Sequence, residues 1–153
     1  MAALAIELNN RLTEPLPVKD VEEAAMIHDI GICLTDAPSI GCFGKAPYIA
    51  HGVLGAELLR KEGYSEQLAR VAERHTGAGL TAEEIRSQRL PLPERDMLPE
   101  TMLEKLICYA DKFYSKGGDF RRKPFDAVRA SMARHGNDSF QRFDALHALF
   151  HHI

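Results

Sequence analysis

Long apolar runs, paired cysteines and a basic leader are all missing from this chain, and each absence excludes a class of protein. Charged residues interrupt the apolar stretches within about ten positions, well short of the ~20 residues that a membrane-spanning helix requires. The three cysteines are an odd number without CxxC spacing, which is typical of reduced thiols in a cytoplasm. The first residues carry Glu7 and no basic cluster, unlike a secretory signal. We therefore expect a soluble, cytoplasmic protein.

Concentrated charge of one sign is also scarce. The formal net charge is -3, and the longest basic run is Arg121-Arg122-Lys123. A duplex-binding surface needs a large basic patch, so we expect no duplex nucleic acid as a partner. The 153 residues, 45% of them hydrophobic, suffice for one domain with its own core. We expect this domain to span 1–153, with core motifs in 23–116 and a C-terminal helical extension in 124–153.

Hydrophobic periodicity predicts helices almost throughout the chain. Apolar residues recur at three and four positions, and no strand is needed to explain the pattern. We therefore expect an all-α fold, a bundle of about seven to eight helices. The predicted helices cover 2–12, 18–31, 47–62, 66–75, a short segment capped by Thr81, a segment from Pro99 or Glu100 to Gly117-Gly118, 125–134 and 139–151. Residues 32–46 are predicted to be a loop, long enough to cover a site.

Residues able to bind metal recur at the ends of predicted helices. They are His28-Asp29, His51, His75 and Asp111. Imidazole and carboxylate ligands suit Mn, Fe, Zn, Co or Mg, and no thiolate is among them. Adjacent helical residues project about 100° apart, so His28 and Asp29 can serve one site only where the helix ends, and Gly31 predicts that end. A carboxylate placed there can bridge two ions.

This ordered set resembles the HD superfamily of metal-dependent phosphohydrolases. It is written here as HDIG, AHGVLGAELL, ERHTGAG and YADKF, over about residues 23–116. The resemblance implies an HD-domain helical bundle with His28 and Asp29 as metal ligands and Asp111 as the closing ligand. It also implies that His51 and His75 bind either a second ion or phosphate. The chain resembles small stand-alone bacterial HD proteins and, through its HG, RHT and LEK...YAD stretches, bacterial hydrolases of dinucleoside tetraphosphates.

Two positions depart from the family pattern. That pattern begins with another histidine on the first helix, and no histidine precedes His28 here. We expect that the chain starts late and that the site lacks one ligand, which weakens metal binding. Ile32 stands where many members have a lysine after HDxG, which predicts a different way of holding phosphate.

The resemblance implies hydrolysis of a nucleotide or a related small phosphate ester or anhydride by metal-activated water. The cofactor is then one or two divalent ions, and the ligand types do not distinguish Mn, Fe, Mg, Zn, Co and Ni. Asp29 is the predicted catalytic residue, because it would bridge the ions or orient the water. Lys112, Lys116 and Arg74 are candidates for binding the substrate and offsetting the phosphoryl charge.

Structural explanations compete with each of these roles. His51 and His75 are alternatively core histidines bonded to backbone, and Lys112 and Lys116 are alternatively solvated on one helix face. The alternative function is an impaired HD-fold regulatory module that binds a nucleotide or metal without turnover, which the missing histidine favours. A further alternative is a homodimer formed through the apolar face of residues 140–153. The substrate's identity does not follow from the sequence.

Overall fold

The computed structural model describes residues 1–117 and 121–151 and shows an all-α protein. Within those residues there are eight α-helices, as the periodicity predicted. They are α1 Ala2–Asn9, α2 Val18–Ile27, α3 His51–Lys61, α4 Glu66–Arg74, α5 Ala82–Ser87, α6 Met102–Asp111, α7 Phe125–Ala133 and α8 Asn137–His151. In that part of the chain, no helix is long and apolar enough to cross a membrane.

Helix α6 lies at the centre of the core. It packs against α1, α2, α4 and α8, and its residues Leu106, Ile107 and Ala110 are completely buried. A helix buried on most of its circumference is held by apolar contacts on several sides, which fixes the position of its ends. The last residue of α6 is Asp111, so the core positions this carboxylate.

The apolar stripe of α8 belongs to the same core. Phe143, Leu146 and Phe150 are buried in it, and Phe143 stacks on Tyr109 of α6. These side chains pack against other helices of the same chain, so they do not form an exposed apolar face for a second copy. The homodimer stays a prediction.

Polar caps mark several helix starts where the sequence predicted them. Ser65 accepts a hydrogen bond from the Leu68 N–H at the start of α4, and Thr81 with Glu84 forms a complete capping box on α5. Helix α6 starts later than predicted, because Thr101 and Glu104 form a second capping box that places the first helical residue at Met102.

The end of α6 differs from the sequence prediction by more residues than its start does. The helix stops at Asp111 and not at Gly117-Gly118; Gly118 itself lies outside the described residues. The N–H groups of Lys112, Phe113 and Tyr114 each bond a carbonyl three residues earlier. Bonds of that spacing tighten the last turn and end the α-helix. Lys112 and Lys116 therefore do not share a helical face.

Helix α2 also ends before its predicted limit. It stops at Ile27, with His28 as its C-cap, and a 3₁₀ turn follows over Ile30–Leu34. The expected loop contains a short antiparallel pair, β1 Asp36–Ala37 with β2 Cys42–Phe43, which the hydrophobic periodicity did not predict. Gly41, at a φ of 77°, makes the turn between them.

Other helix ends differ by a turn or less. Helix α1 stops at Asn9, whose side-chain amide bonds the backbone of Leu16 and turns the chain. Helix α3 begins at His51, because the preceding residues form a 3₁₀ turn over Tyr48–Ala50. This late start makes His51 the first residue of its helix.

A close backbone contact joins the 3₁₀ turn after Asp29 to the first turns of α3. A Cβ atom on Gly31 would lie 2.0 Å from the carbonyl oxygen of His51 and 2.4 Å from the nitrogen of Gly55. Only glycine permits this approach. The contact fixes Asp29, two residues earlier, relative to His51.

Replacing Gly31 by alanine is expected to destabilise the fold severely. Since both clashing atoms are backbone, no side-chain rotation relieves the clash, and we expect a loss of about 3 kcal/mol in the free energy of unfolding. Urea unfolding of G31A measures this loss. The control is G117A, where the nearest atom is a side-chain carbon of Ile40 at 3.6 Å and we expect a change within about 0.5 kcal/mol. Equal stability of both variants would contradict the close approach.

Candidate metal centre

The five residues predicted to bind metal converge at one place, where four helices begin or end. His28 caps α2 and Asp29 follows it; His51 starts α3, His75 caps α4, and Asp111 ends α6. We call these five residues the His/Asp cluster. The three imidazoles and the Asp111 carboxylate are buried, and the Asp29 side chain is 21% exposed.

One local interaction orients all three imidazoles. Each Nδ1 lies at hydrogen-bond distance from the backbone carbonyl three residues earlier. The acceptors are Ala25 at 2.8 Å, Tyr48 at 2.7 Å and Ala72 at 2.7 Å. A ring that donates from Nδ1 in its neutral form keeps its Nε2 lone pair free, which is how backbone carbonyls orient metal-binding histidines. The three Nε2 atoms face the inside of the cluster.

Asp29 lies between the imidazoles and turns one oxygen to each side. Its Oδ2 is 3.1 Å from Nε2 of His28, and its Oδ1 is 3.2 Å from Nε2 of His75 and 3.6 Å from Nε2 of His51. Asp111 completes the first side, with Oδ1 at 3.3 Å from Nε2 of His28. This is the arrangement of a bridging carboxylate.

The unpaired atoms of the cluster fit a cation. Nε2 of His51 and Nε2 of His75 are 3.1 Å apart, although both rings use Nδ1 for the backbone bond, so in the neutral state two lone pairs face each other. Oδ1 of Asp29 is buried beside them and accepts no hydrogen bond. A buried acceptor without a donor is costly. One ligand atom from each of these three residues lies within 4.8 Å of the others, and the same holds for His28, His75 and Asp111.

On one side of the cluster, His51 and His75 are in the neutral form that binds metal ions. Burial lowers the pKa of His75 to about 4 and also lowers the pKa of His51, so both rings are neutral at pH 7. Burial opposes the charged form of His28 too, but hydrogen bonds to Asp111 and Asp29 prevail and raise its pKa to about 9.

Both carboxylates of the cluster are ionised despite their burial. Desolvation raises the pKa of Asp29, but the hydrogen bond from His28, which is charged at pH 7, prevails and holds the pKa well below its ordinary value. Desolvation also acts on Asp111, where Lys112 and His28 prevail and lower the pKa. The cluster therefore presents two negative charges to a cation.

The two lysines predicted to bind substrate lie at the cluster. Nζ of Lys112 is 2.8 Å from Oδ2 of Asp111 and 3.0 Å from the carbonyl oxygen of His75. Nζ of Lys116 contacts Oδ2 of Asp29 and Oδ1 of Asp111. The structure does not bring Arg74 to the cluster: its guanidinium bonds the carbonyl of Leu98 at 2.9 Å and the carboxylate of Glu100 at 2.8 Å.

The family comparison agrees with this geometry. The HD domain family matches residues 1–115 of the 153. The chain belongs to the HD domain family. HD domains bind divalent metals, which agrees with the unpaired ligand atoms of the His/Asp cluster. No solved structure matches the chain.

Three curated relatives of this HD domain are longer proteins. The chain is 42% identical over 108 residues to an uncharacterised protein of Methanocaldococcus jannaschii, covering 71% of this chain and 56% of that protein. It is 40% identical over 95 residues to a tRNA (cytidine(56)-2'-O)-methyltransferase of Picrophilus torridus, covering 62% and 24%. It is 32% identical over 127 residues to a Thermoplasma volcanium protein of the same name, covering 83% and 33%. The chain thus spans about half or less of their lengths.

A cavity of about 760 Å³ opens beside the His/Asp cluster of the HD domain. Asp111, Lys112 and Lys116 line the part that meets the cluster. The volume is in the range of sites for small organic ligands. Helix α7 and the start of α8 form another part of the wall, through Val128, Met132 and Ser139.

Arg142 of α8 ties that wall to the loop after His75. Its guanidinium donates to the carbonyl oxygens of Ala78 at 3.2 Å and Gly79 at 3.1 Å, and to the carboxylate of Glu84 at 2.7 Å. A guanidinium offers five donors in a fixed geometry, so one side chain can hold a loop and a helix together. This arginine therefore fixes α8 against the segment that leaves the cluster.

Sequence reasoning missed two aromatic residues of the site. Tyr48 and Tyr114 line the cavity, and the Tyr48 ring lies 4.8 Å from that of His51. The signal for Tyr48 was its position three residues before His51, a predicted metal ligand whose Nδ1 bonds the Tyr48 carbonyl. No comparable signal marked Tyr114, because it follows a helix end that the sequence placed too late.

Divalent ions are expected to stabilise the folded chain through the His/Asp cluster. An ion that binds only the folded state adds about 2.7 kcal/mol at 100 times its Kd, so the Tm in a Mn²⁺ titration should rise by several degrees. H75Q removes one ligand and should lose most of this rise. H135Q is the control, because His135 is exposed beyond the end of α7. An equal rise in both variants would place the ion elsewhere.

Proposed function

We propose that this HD domain is a metal-dependent phosphohydrolase that acts on a nucleotide or a related small phosphate ester or anhydride. The observation that carries the proposal is the bridging position of Asp29. Its Oδ1 is buried without a donor between two imidazole lone pairs, and its Oδ2 faces the other side of the cluster. Such an arrangement is suited to a hard or borderline cation and is costly without one.

The residues that would hold one or two divalent ions are those of the His/Asp cluster: His28, Asp29, His51, His75 and Asp111. A divalent ion supplies Lewis acidity, which lowers the pKa of a nearby water and polarises a phosphoryl oxygen. Asp29 stays ionised at neutral pH, so its carboxylate can accept a hydrogen bond from that water and orient it. The backbone bonds of the imidazoles keep the ligands in place, so little reorganisation is needed.

The lysines would place positive charge where the substrate's phosphate enters. Lys112 and Lys116 line the cavity and lie against Asp111 at its inner end. A phosphoryl group that reaches this end meets both ammonium groups, which offset the charge that develops during hydrolysis. Arg74 has no such contact in the structure, and its role in substrate binding stays a prediction.

The cavity supports a nucleoside phosphate as the substrate class. Tyr48 and Ile49 line it near His51, and Leu80 adds a further apolar side chain. Aromatic and apolar walls beside a basic end suit a molecule with a planar base at one end and phosphate at the other. Lys123 and Arg134 also line the cavity, on the side of α7. Dinucleoside polyphosphates therefore belong among the compounds to test.

The names of two relatives suggest RNA as a further class of compound to test. Both are tRNA (cytidine(56)-2'-O)-methyltransferases, and this chain matches 24% and 33% of their lengths. Because the match covers only that part, we do not extend methyl transfer to this chain. A phosphate at an RNA end has the same reacting group as a nucleotide, so short RNAs with terminal phosphates are natural further substrates.

A regulatory module that binds a nucleotide or metal without turnover is the second candidate. The observation that favours it is Lys116, whose ammonium lies against both carboxylates of the cluster. An ammonium in that place compensates buried negative charge without any ion. On this alternative the cavity binds its ligand and no phosphate is released.

Phosphate release in the presence of Mn²⁺ or Mg²⁺ distinguishes the two candidates. The panel contains nucleoside mono-, di- and triphosphates, dinucleoside polyphosphates and RNAs with 5'- or 3'-terminal phosphates. We expect turnover of at least one class, and we expect D29N to lower kcat/KM by about 10²- to 10³-fold or more.

The matched control is D144N, which makes the same chemical change on the surface. Asp144 pairs with Arg129 at 2.9 Å, and loss of an exposed pair costs about 1 kcal/mol or less. D144N should keep the activity of the unmodified chain. Ligand binding without release of phosphate from any compound, in the presence of bound metal, would replace the enzyme proposal by the regulatory one.

A further inference from the structure

The two sides of the His/Asp cluster are not equivalent. On one side, Oδ1 of Asp29 and the Nε2 atoms of His51 and His75 surround what we call the histidine-pair position. On the other side, Oδ2 of Asp29, Oδ1 of Asp111 and Nε2 of His28 surround what we call the lysine position. The distances from Asp29 to the three imidazoles are between 3.1 and 3.6 Å. Asp29 is the only residue that contributes an oxygen to both, among the residues that the structure describes.

Within residues 1–117 and 121–151, no ammonium or guanidinium group bonds an atom of the histidine-pair position. Both imidazoles donate from Nδ1 to backbone carbonyls, so their Nε2 atoms, 3.1 Å apart, have no proton to share in the neutral form. Oδ1 of Asp29 accepts no hydrogen bond and is buried there. Two nitrogen lone pairs and a carboxylate oxygen, all within 4.8 Å of one another, are a ligand set for one divalent ion.

The lysine position is filled by the ammonium of Lys116. Nζ contacts Oδ2 of Asp29 and Oδ1 of Asp111, and it is 3.3 Å from Nε2 of His28. The side chain reaches the cluster from the segment after α6, and it is 26% exposed. These are the same three atoms that would surround a second ion.

An ammonium and a divalent ion cannot share this position. Both need the same two carboxylate oxygens, and two cations about 3 Å apart repel each other strongly in a partly buried site. A lysine already attached to the chain is present at a high effective concentration, whereas an ion must be captured from solution. Lys116 therefore competes with a second ion and leaves the histidine-pair position to the first.

We infer that this domain takes one divalent ion, at the histidine-pair position, and that the ammonium of Lys116 takes the place of a second ion. Asp29 then bridges an ion and an ammonium group. This inference rests on the metal centre of the proposed function, but it concerns the number and place of ions and does not depend on turnover.

Metal stoichiometry is the direct test. The full chain is saturated with Mn²⁺, freed of excess ion, and analysed for manganese per chain and by electron paramagnetic resonance. We expect one ion per chain with the spectrum of an isolated Mn²⁺. K116M should bind a second ion and show the spectrum of an exchange-coupled pair, because methionine keeps the volume and removes the charge. Circular dichroism confirms that each variant is folded.

K112M is the matched control. Lys112 also pairs with Asp111, at 2.8 Å, but it bonds Oδ2 and the carbonyl of His75 and lies outside the lysine position. K112M removes a positive charge beside the same carboxylate, that of Asp111, and we expect this variant to bind one ion. A second ion in both variants would show that net charge alone sets the stoichiometry, which would overturn the role of Lys116.

H51Q locates the ion and decides the question even if K116M does not fold. Glutamine removes a ligand of the histidine-pair position, so we expect H51Q to lose the single ion. Retention of one ion by H51Q, or binding of two ions by the unmodified chain, would overturn the inference. If the chain binds one ion but releases phosphate from no compound, the proposed hydrolase activity is contradicted and the inference about the ion still holds.

Discussion

The hydrogen bond from an imidazole Nδ1 to the carbonyl three residues earlier is the interaction on which this centre depends. It occurs at His28, His51 and His75, and each time it uses a carbonyl in a helical turn beside the ring. His28 and His75 cap the C-terminal ends of α2 and α4, where carbonyls lack an intrahelical partner, so there the bond satisfies the carbonyl and also orients the ring. At His51 the Tyr48 carbonyl accepts the backbone N–H of His51 as well as the ring Nδ1. The direction of each Nε2 atom is therefore set by local backbone geometry before any ion is present.

Electrostatic balance links this centre to the stability of the fold. Asp29 and Asp111 are ionised carboxylates among helix ends, and an uncompensated buried charge costs several kcal/mol. Lys112 and Lys116 compensate them from a segment that has just left the central helix. The early end of α6 makes this possible, because in a continued helix Lys112 would project about 100° away from Asp111.

The sequence predicted the parts of the centre that depend on local pattern. The helix periodicity, the caps at Ser65 and Thr81, and the order of the metal-binding residues are local or family signals, and the structure contains all of them. The position of Lys116 depends on where α6 ends, which turn hydrogen bonds decide and apolar periodicity does not show. Arg74 was selected because it adjoins His75, but adjacent helical residues point apart, and its partners lie elsewhere.

The cavity is lined by residues from different parts of the chain. The His/Asp cluster lies within residues 1–115, which match the family, whereas Val128, Met132 and Ser139 belong to the C-terminal helices beyond that match. Arg142 fixes this C-terminal wall to the loop after His75. The predicted metal ligands and this part of the cavity wall thus belong to separate stretches of sequence. On the proposed function, changes in the last two helices would alter what the cavity admits while the predicted metal ligands stay the same, so the substrate could change without any change at the metal centre.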